Sequence, residues 1–237
     1  MQAAVRAGAG KSADVGKRAR LDVHGRAKPL ARGWVHAVFS PLAMAACIVA
    51  ICLAPVKGLK AACSVYLASS SLLFINSAAY HIGNWGKRLT GVLRRIDHAN
   101  IFLLIAGTYT PLSFALPFIG RVIVISVMWG TVAMALLINV LWISAPRWLY
   151  TSTYIVIGVA GAAIMPFLWL SKWAGFIVVI LTTCGGVLYI AGGVIYGAKK
   201  PDPWPRVFGF HEIFHVFTVL GYACEITAVF WVICRMR

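Results

Sequence analysis

Acidic residues are scarce in this sequence. Only six of its 237 residues are Asp or Glu, against 22 Lys and Arg, and charged residues make up 12% of the chain. Soluble domains average about 25% charged residues. So low a charge content, together with 61% hydrophobic residues, is typical of a protein that is embedded in a membrane.

Several other signals are missing. The six cysteines show no C-x-x-C spacing, which argues against both a disulfide framework and a zinc knuckle. The chain has no internal repeat, no nucleotide-binding motif and no second soluble domain. Its net charge of +16 is explained by basic residues in the cytoplasmic loops of a membrane protein. We therefore predict no nucleic-acid partner and identify no soluble protein partner; the expected partners are membrane lipids.

What the sequence does contain is long apolar runs of about 20 residues, the length of a membrane-spanning helix. Seven such runs can be counted, at 34–55, 61–82, 97–117, 121–143, 149–170, 174–196 and 208–234. They predict an all-α, polytopic integral membrane protein, with a seven-helix bundle over residues 33–237. Residues 1–32 carry eight Lys and Arg and few large apolar side chains, so we predict a disordered basic tail.

The distribution of basic residues predicts the orientation. If the N-terminus is cytoplasmic, the inside segments hold sixteen of the 22 Lys and Arg. The positive-inside rule then favours a cytoplasmic N-terminus, an external C-terminus and a location in the cell membrane as a multi-pass protein. In this frame several ionisable residues fall at the cytoplasmic ends of their spans, namely His36, His81, Asp97, His98, His211 and His215. Ionisable residues inside a membrane are functional candidates because leaving them unpaired is costly.

Three of these histidines are predicted to bind a metal. His211 and His215 are one helical turn apart and share a face, and His81 lies at the same depth on another span. Three imidazoles and one open position are typical of catalytic zinc. Asp97 is placed to orient or deprotonate a water molecule, either as a fourth ligand or from beside the ligands. Ser77, one turn before His81, is a candidate partner for a substrate carbonyl or oxyanion.

The remaining ionisable residues have other interpretations. The stretch "HEIFH" (211–215) matches the H-E-x-x-H pattern of zinc metalloproteases. Glu212 lies about 100° around the helix from His211, so the match is interpreted as incidental, although Glu212 stays open as a base. Glu225 lies about 15 Å beyond His215 along the helix, and is expected to be a protonated or hydrogen-bonded acid inside the bundle. His24, His36 and His98 are interpreted as headgroup contacts.

The sequence resembles a known family. The motifs "RGWVH", "SAAYHIGNW", "RRIDHANIFLLIAGTYTPL" and "FGFHEIFHVFTVL" look like those of the bacterial hemolysin III branch of the progestin and adiponectin receptor family. The resemblance covers about residues 28–234. It implies that His81, His211 and His215 bind zinc and that Asp97 lies close to the zinc-bound water. The eukaryotic relatives are linked to ceramide hydrolysis. One departure is the first-span motif, where an acid and an asparagine often precede the histidine, so the role of His36 stays open.

Three functions follow as hypotheses. The leading one is a zinc-dependent hydrolase of lipid amide or ester bonds, similar to a ceramidase, with its site in the cytoplasmic leaflet. The alternatives are a membrane-homeostasis sensor with a structural metal and a pore-forming cytolysin.

The small residues of the sixth span, including Gly193 and Gly197 at G-x-x-x-G spacing, also predict self-association.

Overall fold

The apolar runs of the sequence form long helices in the computed structural model, which describes residues 28–141, 158 and 161–237. The helices in these residues are α1 (Trp34–Leu53), α2 (Lys57–Ile82), α3 (Lys87–Leu112), α4 (Phe118–Leu141), α5 (Met165–Leu170), α6 (Gly175–Ala198) and α7 (Phe210–Met236). A short 3₁₀ turn, Ser113–Ala115, follows α3. The same residues contain no β-strand, only one isolated bridge between Trp204 and Phe208. The predicted all-α class is confirmed.

Five of these helices, α1, α2, α4, α6 and α7, are long and apolar enough to cross a membrane. They coincide with the first, second, fourth, sixth and seventh predicted runs, so the chain is a polytopic membrane protein. The third run also lies in a helix, but α3 begins at Lys87 and not at Asp97. Its first turns are basic, so its apolar part is shorter than those of the other five. Half of the fifth run, 149–170, lies outside the described residues, and α5 forms its end.

The last helix lies at the centre of the bundle. It packs against α1, α3 and α6, while α2 packs against α1 and α3. In the most apolar stretch of 18 residues in α7, 50% of the residues are buried, against 17% in the corresponding stretch of α4. Buried side chains such as Phe74 of α2 and Tyr222 of α7 fill the interior. Large apolar side chains such as Leu42 of α1 and Val187 of α6 are exposed on the outside, as expected for surfaces that face lipid.

Small residues bring α6 and α7 close together. A Cβ atom on Gly192 would lie 2.9 Å from the Cβ of Phe217, so no larger residue fits there. This is the close approach that glycine allows between membrane helices. A Cβ on Gly193 or Gly197 would meet nothing within 4 Å. The predicted self-association through this helix is not tested by these contacts and stays a prediction.

The segment just before α1 is tied to the folded chain. The backbone N–H of Leu30 donates to the carbonyl of Arg206 (3.1 Å), and that of Ala31 donates to the carbonyl of Val207 (3.0 Å). The Lys28 ammonium donates to the carbonyl of Gly83 at the end of α2 (2.9 Å). Residues 28–32 therefore pack on the same end of the bundle as the predicted site. The disordered tail was predicted over residues 1–32, and residues 1–27 of it lie outside the described residues.

Candidate metal centre

Three histidines from two helices meet at one point. His81 lies in the last turn of α2, and His211 and His215 lie in the first two turns of α7. One ring nitrogen of each lies within 4.8 Å of those of the other two. Nε2 of His81 and Nε2 of His211 lie 3.1 Å apart. The structure brings together all three histidines that the sequence predicted as ligands.

This geometry suits a transition metal. Zinc–nitrogen bonds of about 2.0–2.1 Å in a tetrahedral site place two ligand atoms about 3.4 Å apart, close to the separation of the His81 and His211 nitrogens. A hydrogen bond between these two rings is an alternative explanation for that pair. It leaves the third ring unexplained, because Nδ1 of His215 is buried and has no hydrogen-bond partner in the described part of the chain. The three histidines therefore fit a zinc ion.

The two other predicted residues lie beside the histidines. Oδ2 of Asp97, on α3, is 3.9 Å from Nε2 of His81. The side chain of Ser77 lies one turn before His81 on α2, is buried, and lies close to the Asp97 carboxylate. A serine hydroxyl can only donate to an ionised carboxylate. Ser77 is therefore placed to donate a hydrogen bond to Asp97 beside the three histidines.

The region that contains these residues is similar to known proteins. A family model described as "Haemolysin-III related" matches residues 24–226, a range that contains every residue of the candidate site. The chain belongs to the haemolysin-III-related family.

Individual relatives of this family are more distant in sequence. The chain is 28% identical over 163 residues to "Hemolysin-3 homolog" of Bacillus subtilis (strain 168), covering 68% of this chain and 71% of the relative. It is 28% identical over 203 residues to "Hemolysin-3" of Bacillus cereus, covering 82% of this chain and 86% of the relative. It is also 25% identical over 172 residues to "Heptahelical transmembrane protein ADIPOR2" of Oryza sativa subsp. japonica, covering 66% and 75%.

One residue beside the histidine cluster lies elsewhere than the sequence predicted. His36 was interpreted as a headgroup contact, but its side chain is only 2% exposed. Its ring stacks on that of His215, with centroids 4.0 Å apart and planes 5° apart, and meets Phe74 edge-on. The helical spacing of His36, Ser40, Ala43, Cys47 and Ala50, all of them buried, is the signal that places His36 on the inner face of α1. His98 lies half-buried on α3, and His24 lies outside the described residues.

The glutamate of the H-E-x-x-H pattern has a different set of partners. Glu212 is 1% exposed. One carboxylate oxygen forms an ion pair with the Arg32 guanidinium, and the other accepts the backbone N–H of Gly209 (2.8 Å) at the start of α7. Both oxygens of Glu212 are therefore engaged in contacts that connect the segment before α1 to the start of α7.

Gly33 adjoins both Arg32 and the metal ligands. It precedes α1 with φ = 83°, in the left-handed region that glycine tolerates best. A Cβ at this position would lie 2.8 Å from the Cβ of His81. Both the backbone turn and the close contact with a predicted zinc ligand therefore require glycine here.

Proposed function

We propose that this protein is a zinc-dependent membrane hydrolase that cleaves amide or ester bonds of lipids in the cytoplasmic leaflet. The observation that carries the proposal is the convergence of His81, His211 and His215 with Asp97 at one end of the bundle. These residues come from three helices, and His81 and His211 are 130 positions apart in the sequence. A role in packing alone does not account for imidazoles and a carboxylate gathered at one point.

The number of ligands favours catalysis over a structural role. Structural zinc sites are closed by four protein ligands, whereas catalytic sites use three and keep one position open. In the described residues the cluster that can hold a metal consists of three histidines. This favours a hydrolase over the alternative of a sensor that is stabilised by a structural metal.

Asp97 and Ser77 supply the proton chemistry in this proposal. A zinc ion, when bound, contributes Lewis-acid polarisation and acidifies water. Asp97 lies next to His81 and accepts a proton from the attacking water, then returns it to the leaving nitrogen or oxygen. Ser77 donates a hydrogen bond to Asp97 and keeps its carboxylate directed at the site. An oxyanion role for Ser77 requires its hydroxyl to leave Asp97, so we assign it positioning first.

The orientation follows from the basic residues around this end of the bundle. Lys28, Arg32, Lys87, Arg88 and Arg206 all lie near the end that carries the histidines. By the positive-inside rule this end is cytoplasmic. The heptahelical name of the rice relative supports a seven-span topology and hence an external C-terminus. The Bacillus relatives support a bacterial plasma membrane.

The cytolysin alternative is disfavoured by the packing at the opposite end of the bundle. There Leu59 of α2 and Val229 and Ile233 of α7 are all buried in the same apolar core. A single subunit that formed a water-filled channel would need polar side chains or open space at this level. These apolar side chains close the bundle.

The decisive experiment combines metal analysis with hydrolysis assays. Purified wild-type protein is expected to contain one zinc ion per chain and to hydrolyse at least one lipid in a panel of ceramides and glycerolipids. His211→Ala and His215→Ala are expected to lose both zinc and turnover. His98→Ala, on α3 beside Asp97, is the matched control and keeps both. Stoichiometric zinc without turnover on any lipid would favour the sensor, and absence of any transition metal would overturn the proposal.

A further inference from the structure

A second group of buried polar side chains lies away from the candidate metal centre. Its central residue is Glu225 of α7, ten positions after His215 and thus about 15 Å further along the helix. The other members are Thr182 and Tyr189 of α6 and Tyr66 of α2. We call these four residues the Glu225 cluster. The proposed hydrolase makes no use of them.

Each member of the Glu225 cluster contributes a buried oxygen that has no hydrogen-bond partner among the described residues. These oxygens are Oε2 of Glu225, Oγ1 of Thr182 and the phenol oxygens of Tyr66 and Tyr189. Glu225 is 4% exposed, Thr182 3% and Tyr66 1%. Buried polar groups in native proteins nearly always have a partner, in the protein or in a bound molecule or ion. Four unpartnered oxygens in one region indicate that something binds between them.

The four side chains lie in one part of the bundle interior. The Thr182 side chain lies close to the Glu225 carboxylate, and Tyr66 and Tyr189 lie within electrostatic range of Glu225. Two glycines leave room for the side chains of Glu225 and Tyr189. A Cβ on Gly185 would lie 2.7 Å from Oε1 of Glu225, and one on Gly221 would lie 2.7 Å from the ring of Tyr189. At the α6–α7 interface, the side chains of Glu225 and Tyr189 therefore pack directly against glycines of the neighbouring helix.

Within the described part of the chain, nothing balances a negative charge on Glu225. Among the described residues, no Lys, Arg or His is a charge partner of Glu225. An unpaired carboxylate in the interior of a membrane protein is costly. A cation with a single charge would neutralise it, whereas a divalent cation would leave an excess positive charge in the same place.

The ligand atoms identify the class of cation. A carboxylate, a threonine hydroxyl and two phenols form an all-oxygen set, which suits hard metal ions and not the softer transition metals. We propose that the Glu225 cluster is a binding site for a monovalent metal cation, with sodium as the probe, inside the bundle and separate from the histidine site. Glu225 supplies the charge, and Thr182, Tyr66 and Tyr189 supply neutral oxygens.

Direct binding and thermal unfolding of the full-length protein in detergent test this site. Wild-type protein is expected to bind radiolabelled sodium saturably at about one ion per chain. Its unfolding temperature should rise by several degrees when sodium chloride replaces choline chloride at constant ionic strength, because a ligand that binds only the folded state stabilises it. Lithium and potassium chloride in parallel establish the size preference.

Variants assign the response to the cluster. Glu225→Gln removes the charge and is expected to abolish sodium binding and the sodium-dependent rise. Thr182→Val removes one oxygen at constant shape and should weaken sodium binding at least tenfold. The matched control is Thr227→Val, on the exposed face of α7, where the hydroxyl only bonds the Ala223 carbonyl. It keeps the wild-type response.

The outcomes separate this site from the proposed hydrolase. His211→Ala is expected to lose zinc and to keep the sodium response. Equal unfolding temperatures in sodium and choline overturn the proposal, as does sodium binding that survives in Glu225→Gln. A Glu225→Gln protein that is more stable than wild type, with no sodium response in either, identifies a permanently protonated acid and also overturns it. If Glu225→Gln does not fold, Thr182→Val and Tyr66→Phe decide in its place.

Discussion

The imidazole rings of His36 and His215 lie parallel, with their centroids 4.0 Å apart and their planes 5° apart. His36 belongs to the first helix of the chain and His215 to the last. Both rings are buried, and neither nitrogen of His36 has a hydrogen-bond partner in the described residues. His36 is therefore placed to fix the plane of a predicted zinc ligand by stacking, without being one of the three ligands.

Replacing His36 tests whether stacking on His215 supports the metal. We expect His36→Ala to lower zinc affinity about tenfold, because residues that orient a metal ligand typically contribute 10–100-fold in affinity. His36→Phe keeps a flat ring at the same place and should retain most of the affinity. Zinc is measured by competition with a chelator of known affinity. Equal losses in both variants would show that His36 contributes through its nitrogens and not through its ring.

The ion pair between Arg32 and Glu212 connects the segment before α1 to the first turn of α7. Glu212 is buried, and Arg32 is 22% exposed. Removing one partner of such a pair leaves a buried charge without compensation, which costs more than the pair itself contributes.

Single and double substitutions separate this structural role from catalysis. Arg32→Gln leaves the Glu212 charge unpaired and is expected to lower the free energy of unfolding by about 3 kcal/mol. The double variant Arg32→Gln/Glu212→Gln should recover part of this loss, because no charge remains. Unfolding in denaturant gives both values. Folded Glu212→Gln protein should keep its zinc and its turnover; loss of turnover with zinc retained would restore Glu212 as a catalytic base.

Much of the fold could be predicted from the sequence because a membrane imposes simple constraints on a chain. An apolar run of about 20 residues has to form a helix to satisfy its backbone, so α1, α2, α4, α6 and α7 were found from hydropathy alone. The start of α3 was not, because its first turns are basic and extend beyond the apolar part. Hydropathy locates the part of a helix that lies in lipid and not the turns that project from it.

The site was predicted less completely. His81, His211 and His215 were found because they fall at one depth, and depth can be counted along a sequence. The angular position of a side chain also matters, and this is where His36 was misplaced. It shares the depth of a headgroup contact but lies on the inner face of α1. The pairing of Glu212 with Arg32 joins residues 180 positions apart, and no local pattern encodes it.

Asp97 and Ser77 are expected to affect turnover and not metal binding. Asp97→Asn cannot accept a proton, so we expect turnover to fall by about 10²–10⁴-fold, the usual contribution of a general base, while zinc content stays at the wild-type level. Ser77→Ala should have a smaller effect and change the pH dependence of turnover, because it removes a hydrogen bond to the carboxylate of Asp97. Steady-state rates across pH, with zinc content measured on the same samples, provide the comparison.

The expectations for Asp97→Asn and Ser77→Ala can each be contradicted by a specific result. Turnover that survives in Asp97→Asn removes its role as the base. Loss of zinc in the same variant would make Asp97 a ligand, since its carboxylate lies only 3.9 Å from a nitrogen of His81. A Ser77→Ala protein with an unchanged pH profile and a reduced rate would favour the oxyanion role over the positioning of Asp97.

Gly33 is expected to be the most sensitive small residue near the metal centre. Gly33→Ala places a methyl group 2.8 Å from the Cβ of His81 and forces alanine into a backbone conformation with φ = 83°. The left-handed conformation alone costs alanine about 1 kcal/mol, and relief of the contact has to move His81 or the start of α1. Zinc affinity should therefore fall more than stability does.

Gly86→Ala, where a Cβ would meet nothing within 4 Å, is the matched control and should bind zinc as the wild type does. If Gly33→Ala lowers the unfolding temperature and leaves zinc affinity unchanged, the packing of Gly33 on His81 serves the fold alone.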